Sequence, residues 1–147
     1  MKTWPLAAVG LTACLCISAV LLASATGSHA ETQVQMNQDA CAVFAQADGE
    51  LNAVYRRILA EYPTAPQFTD KLKNAQRAWV AFRDAHLEAV YPAPDKQAEY
   101  GSAYPLCRCV ALAELTRVRV EELKGWLNGV PEGEVCRGSI RPRATHN

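Results

Sequence analysis

Apolar side chains return every three or four positions over three stretches of this chain, a period that marks amphipathic helices. Phe44, Leu51, Tyr55, Ile58 and Tyr62 predict a first helix over residues 38–62, ended by Pro63 and Pro66. Leu72, Ala75, Trp79, Phe82, His86 and Val90 predict a second over residues 66–91. Thr64-Ala65-Pro66-Gln67 has the form of a capping box with proline at its third position, so that helix should start nearby. Cys109, Thr116, Val120, Leu123 and Leu127 predict a third helix over residues 103–128. Gly129 stands where a C-terminal cap is expected, and Pro131 follows. Residues 92–105 hold Pro92, Pro94, Gly101 and Pro105 and read as a loop. No alternating strand pattern and no internal repeat is present. The fold class expected is all-α: a small antiparallel bundle of three long helices, stapled by disulfides.

Upstream of the first helix the pattern changes. Lys2 gives a short positive start, and Leu6 to Leu22 is almost wholly apolar. Ala23-Ser24-Ala25 and Ser28-His29-Ala30 are both small-x-small cleavage patterns, so residues 1–30 read as a secretory signal peptide. An uncleaved anchor is one alternative, because the apolar run approaches the length of a membrane span. Leu11-Thr12-Ala13-Cys14 also imitates a lipoprotein box, but it lies inside the apolar run. The division expected is residues 1–30 as signal peptide, residues 31–130 as helical domain and residues 131–147 as C-terminal tail. The protein is then periplasmic or secreted, with no stable membrane span after cleavage.

Cleavage at Ala30 leaves about 117 of the 147 residues, enough for one domain with a modest core. Losing Lys2 leaves 14 basic and 15 acidic residues, a balance that implies no nucleic-acid partner. After Cys136 the chain is locally basic, with Arg137, Arg141 and Arg143 and no acid, and this end reads as a frayed, solvated terminus. Cys14 and Cys16 leave with the signal. Cys41, Cys107, Cys109 and Cys136 then enter an oxidising compartment, where pairing is expected. A Cys107–Cys109 bridge would close a small, strained ring. Two longer links are expected instead: Cys41 to one of Cys107 and Cys109, and Cys136 to the other. A zinc site is the rival use, and the Cys-x-Cys spacing without a nearby His pair argues against it.

At about 100° per residue, the second helix collects Phe82, His86, Trp79, Leu72, Val90, Leu87, Val80 and Tyr91 on one arc. Gln76 and Arg83 fall near its middle, and Arg77 and Asp84 on the other side. The first helix collects Val54, Ile58, Leu51, Phe44, Tyr62, Tyr55, Cys41 and Leu59, with Asp48 inside the arc and Asn52 at its edge. The third collects Leu115, Trp126, Leu112, Leu123, Leu127, Cys109 and Val120, with Arg119 and Thr116 inside. A buried guanidinium without a partner is very costly, and Asp48 is the only acid in the three arcs. Asp48 should therefore meet Arg83, Arg119 or both, with Gln76 and Thr116 completing the hydrogen bonds and Trp79 stacking on Arg83. Such a cluster reads first as a polar network that fixes bundle register. Its functional alternative is a groove where Arg83 and Arg119 receive an anionic or sugar ligand. His86 reads as a packed core histidine.

These residues carry a resemblance. Asp48-Gly49-Glu50-Leu51-Asn52-Ala53-Val54-Tyr55, Leu72-Lys73-Asn74-Ala75-Gln76-Arg77-Ala78-Trp79, Phe82-Arg83-Asp84-Ala85, Cys109 and Leu115-Thr116-Arg117-Val118-Arg119 with Leu123 resemble the LprI-type lysozyme-inhibitor domain. The resemblance spans residues 38–127 and implies a helical, extracytoplasmic domain that inhibits lysozyme by protein–protein contact. It also implies a Cys41–Cys109 link. The family often carries a cysteine shortly after the Arg-Asp pair, where this chain has His86-Leu87. Cys107 and Cys136 are extra to the pattern, so a Cys107–Cys136 link would belong to this chain alone.

Two functional classes follow. The first is a binding protein that blocks a cell-wall hydrolase. Candidate binding residues are Arg83, Arg119, Gln76 and Asp48 in the bundle, and Asp95, Glu99, Tyr100 and Tyr104 in the second loop, where exposed aromatic and acidic groups suit recognition. The second is an envelope structural or scaffolding module that binds another envelope protein or wall glycan and leaves lysozyme alone. An enzyme is not expected, and no catalytic residue, metal ligand or cofactor is assigned. Glycosidase chemistry needs two converging carboxylates, and only Asp48 lies on an inward face. The cysteines should be oxidised, which removes them as nucleophiles, and phosphate-loop and metal motifs are absent.

Overall fold

The computed structural model describes residues 20–143, with side chains described from Thr32 onward. The leader expected at residues 1–30 lies outside the described residues except for helical backbone from Val20. The chain forms two units, Met1–Gln35 and Met36–Asn147. The first contributes the opening turns of α1, Val20–Glu61. The second holds the rest of α1, then α2 (Pro66–Val90), α3 (Lys96–Tyr100) and α4 (Tyr104–Asn128). No described helix is long and apolar enough to cross a membrane.

Within residues 36–147 the long helices run up, down and up. Asp48 meets Arg83 while Tyr62, just past α1, meets Phe68, and Gln76 meets Arg119 while Phe68 meets Trp126, so α2 is antiparallel to both neighbours. Cys41 pairs with Cys109 and the Tyr62 hydroxyl donates to the Trp126 carbonyl (3.0 Å), so α1 and α4 are parallel. The all-α antiparallel bundle is as expected, and so is the Cys41–Cys109 staple. Leu51, Val54 and Ile58 from α1, Tyr62 just after it, Leu72 from α2 and Val120 and Leu123 from α4 form the core. Burying a side chain such as Ile58 or Leu123 stabilises the fold by about 1.5–3 kcal/mol.

Proline and glycine set the ends. Pro63 stops α1, and Pro66 opens α2 at a position where its missing N–H costs nothing. The capping box does not form: Ala65 occupies the N-cap and no side chain caps the helix. Gly129 closes α4 at φ 66°, and a Cβ there would lie 2.9 Å from the Arg141 carbonyl oxygen. The loop over residues 92–105 is more ordered than expected. The Asp95 carboxylate accepts from Ala98 N (2.9 Å) and caps α3, and a 3-10 turn over Gly101–Ala103 leads into α4.

Two further expectations fail. Cys107 and Cys136 are both free. Cys107 stands in the first turn of α4, and Cys136 follows its last turn, so at 1.5 Å per residue roughly 30 Å of helix separates them. The tail is not frayed as far as Arg143. Val130 N donates to Arg141 O (3.1 Å), Arg143 N donates to Val130 O (2.7 Å), and the indole of Trp126 donates to Ser139 Oγ (3.1 Å). The Arg141 guanidinium lies 3.9 Å from the Tyr62 ring centroid. Three of these contacts use backbone groups or one cation–π face, which side-chain periodicity does not report.

Candidate functional site

The inward line of α2 is Leu72, Gln76, Trp79, Arg83 and Leu87, at steps of four and three. Leu72 and Leu87 are buried, and Gln76, Trp79 and Arg83 are half-buried. Phe82 precedes Arg83 by one residue and is therefore turned away by about 100°. It is 56% exposed, and His86, Val80 and Val90 are also exposed. His86 packs on Phe82 at 5.7 Å at the surface and is not a core histidine. Arg77 and Asp84 are exposed, on the outward side expected of them.

The polar residues on that line form a stacked array. Arg83, with 13% of its side chain exposed, lies over Phe44 (5.7 Å) and Trp79 (5.5 Å), and Arg119 lies 6.0 Å from the same indole. Arg83 pairs with Asp48 (3.6 Å) and, more closely, with Asp84 (2.9 Å). Arg119 Nε donates to Gln76 Oε1 (3.1 Å), and its Nη1 pairs with Glu122 (3.0 Å). Asn52 Nδ2 donates to the Asp48 carboxylate (3.0 Å). The expected Asp48–Arg83 pair is present, with two corrections. Asp48 is 41% exposed, and the acids closest to the two guanidiniums are Asp84 and Glu122, which reach in from helix edges. Thr116 Oγ1 is fully buried and has no hydrogen-bond partner among the described residues. Gln76 and Glu122 already serve Arg119, so the threonine one turn away completes nothing.

The second loop brings its aromatics together rather than presenting them. Tyr91 touches Tyr100 and Tyr104 edge-on, both at 5.3 Å, and Tyr100 stacks on Tyr104 at 5.9 Å. Tyr100 and Tyr104 are half-buried, while Asp95 and Glu99 are exposed. Burial pushes the Tyr91 phenol above its ordinary value, with Cys107, Tyr104 and Tyr100 adding to the effect. At the α1–α4 seam, hydrogen bonds to Glu121 and Glu50 (2.8 Å each) hold the Lys124 ammonium above the usual lysine range. Among the described residues no group of three His, Cys, Asp or Glu side chains is placed to hold a metal ion.

Two open grooves flank the array. The first, about 330 Å³, runs between α1 and α2 and is lined by Asp48, Leu51, Asn52, Tyr55, Lys73, Gln76, Arg77 and Val80. The second, about 460 Å³, is lined by Phe44, Arg83, Asp84, Ala85, Leu87, Glu88, Arg108 and Leu112. Asp48 belongs to one groove and Arg83 to the other, so their ion pair forms part of the wall between them. Every residue of the first groove except Val80 lies in Asp48-to-Tyr55 or Leu72-to-Trp79, two of the segments that resemble LprI domains. Tyr55, Lys73 and Phe44 are groove residues that were not among the candidate binding residues. Leu51-Asn52-Ala53-Val54-Tyr55, within a segment that carries the resemblance, held the signal for Tyr55, and Arg108 carried none.

The family described as lysozyme inhibitor LprI matches residues 23–123. The chain belongs to the LprI lysozyme inhibitor family. A similar protein is an uncharacterized protein of Rhizobium meliloti (strain 1021), 37% identical over 110 residues that cover 65% of this chain and 73% of the relative. No solved structure matches. The segments Asp48-to-Tyr55 and Leu72-to-Trp79 lie within the matched residues, on α1 and α2, and line the first groove.

Proposed function

We propose that this protein is an extracytoplasmic LprI-type inhibitor that blocks lysozyme by protein–protein contact through the α1–α2 groove. The observation that carries the reading is the convergence of the signature residues on one open surface. Asn52 and Arg77 are exposed, Tyr55 is half-exposed, and the Tyr55 hydroxyl makes no hydrogen bond among the described residues. Tyrosine and arginine at a concave surface are the types that dominate binding energy at protein interfaces. The loop residues Asp95, Glu99, Tyr100 and Tyr104 suit the contact less well, because both tyrosines are committed to the aromatic cluster. Arg119 is likewise committed to Gln76 and Glu122.

Secretion is part of the proposal. Residues 1–30 act as the leader, and the Cys41–Cys109 disulfide requires an oxidising compartment. Expression of the full chain, followed by fractionation and N-terminal sequencing of the product, should place it outside the cytoplasm with a start at Thr26 or Glu31. Recovery of uncleaved chain from the cytoplasm would remove this part. The secreted product should then slow lysis of a bacterial suspension by purified lysozyme. An envelope module without lysozyme activity is the alternative. It is favoured by the mutual satisfaction of the Arg83 and Arg119 partners, which the fold alone can use. Undiminished lysis at a large molar excess, with an envelope protein recovered by pull-down, would establish the alternative.

A further inference from the structure

The second groove lies outside the signature surface, and its chemistry differs. Its floor is apolar, from buried Leu87 and Leu112, with the half-buried Phe44 ring as one wall. Its rim is charged with both signs. Arg83 and Arg108 supply guanidiniums, and Asp84 and Glu88 supply carboxylates. Asp84 is engaged by Arg83 through Oδ1 alone, and Glu88 is engaged by Lys96 through Oε2 alone (2.8 Å), so each keeps an oxygen that accepts nothing from the described residues. Arg108 is exposed and pairs with no described residue. The groove thus offers unused donors and unused acceptors above an apolar floor.

That combination selects among ligand classes. An anion entering the groove gains from Arg108 but faces Asp84 and Glu88. A cation gains from the carboxylates but faces Arg83 and Arg108. An uncharged, hydroxyl-rich ligand donates to the carboxylates and accepts from the guanidinium at once, with charge-assisted hydrogen bonds on both sides. Its C–H faces then meet Phe44, Ala85 and the leucine floor. The volume falls in the range of small-molecule sites. We propose that this groove binds a short, uncharged oligosaccharide, with Arg108 and Glu88 as hydrogen-bonding residues and Phe44 as the apolar wall. This site does not depend on the lysozyme reading, because it uses other residues and another kind of ligand.

The test is titration of the secreted protein with chitotriose, followed by calorimetry and by chemical-shift changes. Saturable binding is expected, weakened at least about tenfold in both Arg108→Ala and Phe44→Ala and unchanged in Arg56→Ala, an exposed position that lines neither groove. Arg108 is exposed, so Arg108→Ala keeps the test valid even where Phe44→Ala impairs folding. A cationic glucosamine trimer and an anionic galacturonate trimer should both bind more weakly than chitotriose. Absence of saturation up to the solubility limit, undiminished binding by Arg108→Ala, or tighter binding of either charged trimer would each overturn the proposal.

Discussion

Arg83 shows how the polar residues inside an apolar arc are accommodated. Its guanidinium is stacked between Phe44 and Trp79 and paired with Asp48 and Asp84. Arg77, two turns earlier, is exposed and bonds only Asn74. Arg83→Ala should therefore lower unfolding free energy by about 2 kcal/mol, from lost stacking and lost charge-assisted bonds. Arg77→Ala should cost less than about 0.5 kcal/mol. Chemical denaturation of the two variants checks this, and equal effects would mean Arg83 is not the inward residue. Asp48 retains water when Arg83 is removed, so the loss comes from the arginine's own contacts and less from a stranded acid. Thr116 makes the opposite case. Its hydroxyl is buried without a partner among the described residues, so Thr116→Val, which keeps the shape, should raise stability by about 1 kcal/mol. A lower denaturation midpoint in Thr116→Val would reveal a hydrogen bond to bound water. The presence of an Asp48–Arg83 contact was legible from charge arithmetic on three wheels. The closer partners Asp84 and Glu122 were not, because flexible acids at a helix edge reach inward without belonging to the arc.

Among the elements, existence and ends were more legible than rotation, apart from the start of α1, which lies at Val20, well before the expected residue 38. The three long helices, Pro66 and Gly129 all follow from periodicity and backbone rules. The facing of α2 did not, because apolar alanines and Phe82, His86 and Val90 widen its arc beyond the part that packs. The true line is picked out by Leu72 and Leu87, with Arg83 between them. Backbone pairing of the tail with Val130 and the capping of α3 by Asp95 were also invisible to a periodic reading. The staple between α1 and α4 is the element-scale feature with the largest expected effect. It joins cysteines 68 residues apart, and closing a loop of that length removes about 4 kcal/mol of unfolded-state entropy. A Cys41→Ala, Cys109→Ala variant should show a melting temperature well below that of the wild type, and reduction of the wild type should reproduce the drop. A drop of only a degree or two would mean that packing between α1 and α4 suffices without the bond.

For the whole molecule, composition and motif order sufficed to name a class of protein, and the fold supplies the surface. Single helices could not show a groove, because a groove is a property of two helices in register. Placed together, α1 and α2 turn segments separated by a proline-broken connection into one concave face holding Asp48, Asn52, Tyr55 and Arg77. The exposed Phe82 on the same helix lies outside that face and serves as its control. The most direct test is therefore inhibition of purified lysozyme by the secreted protein, compared across wild type, Arg77→Glu, Tyr55→Ala and Phe82→Ala, with the fold of each checked by circular dichroism. The groove account predicts saturable inhibition by wild type and Phe82→Ala, and at least about tenfold weaker inhibition by Arg77→Glu and Tyr55→Ala. Full inhibition by the two groove variants, or none by the wild type at large molar excess, would contradict it.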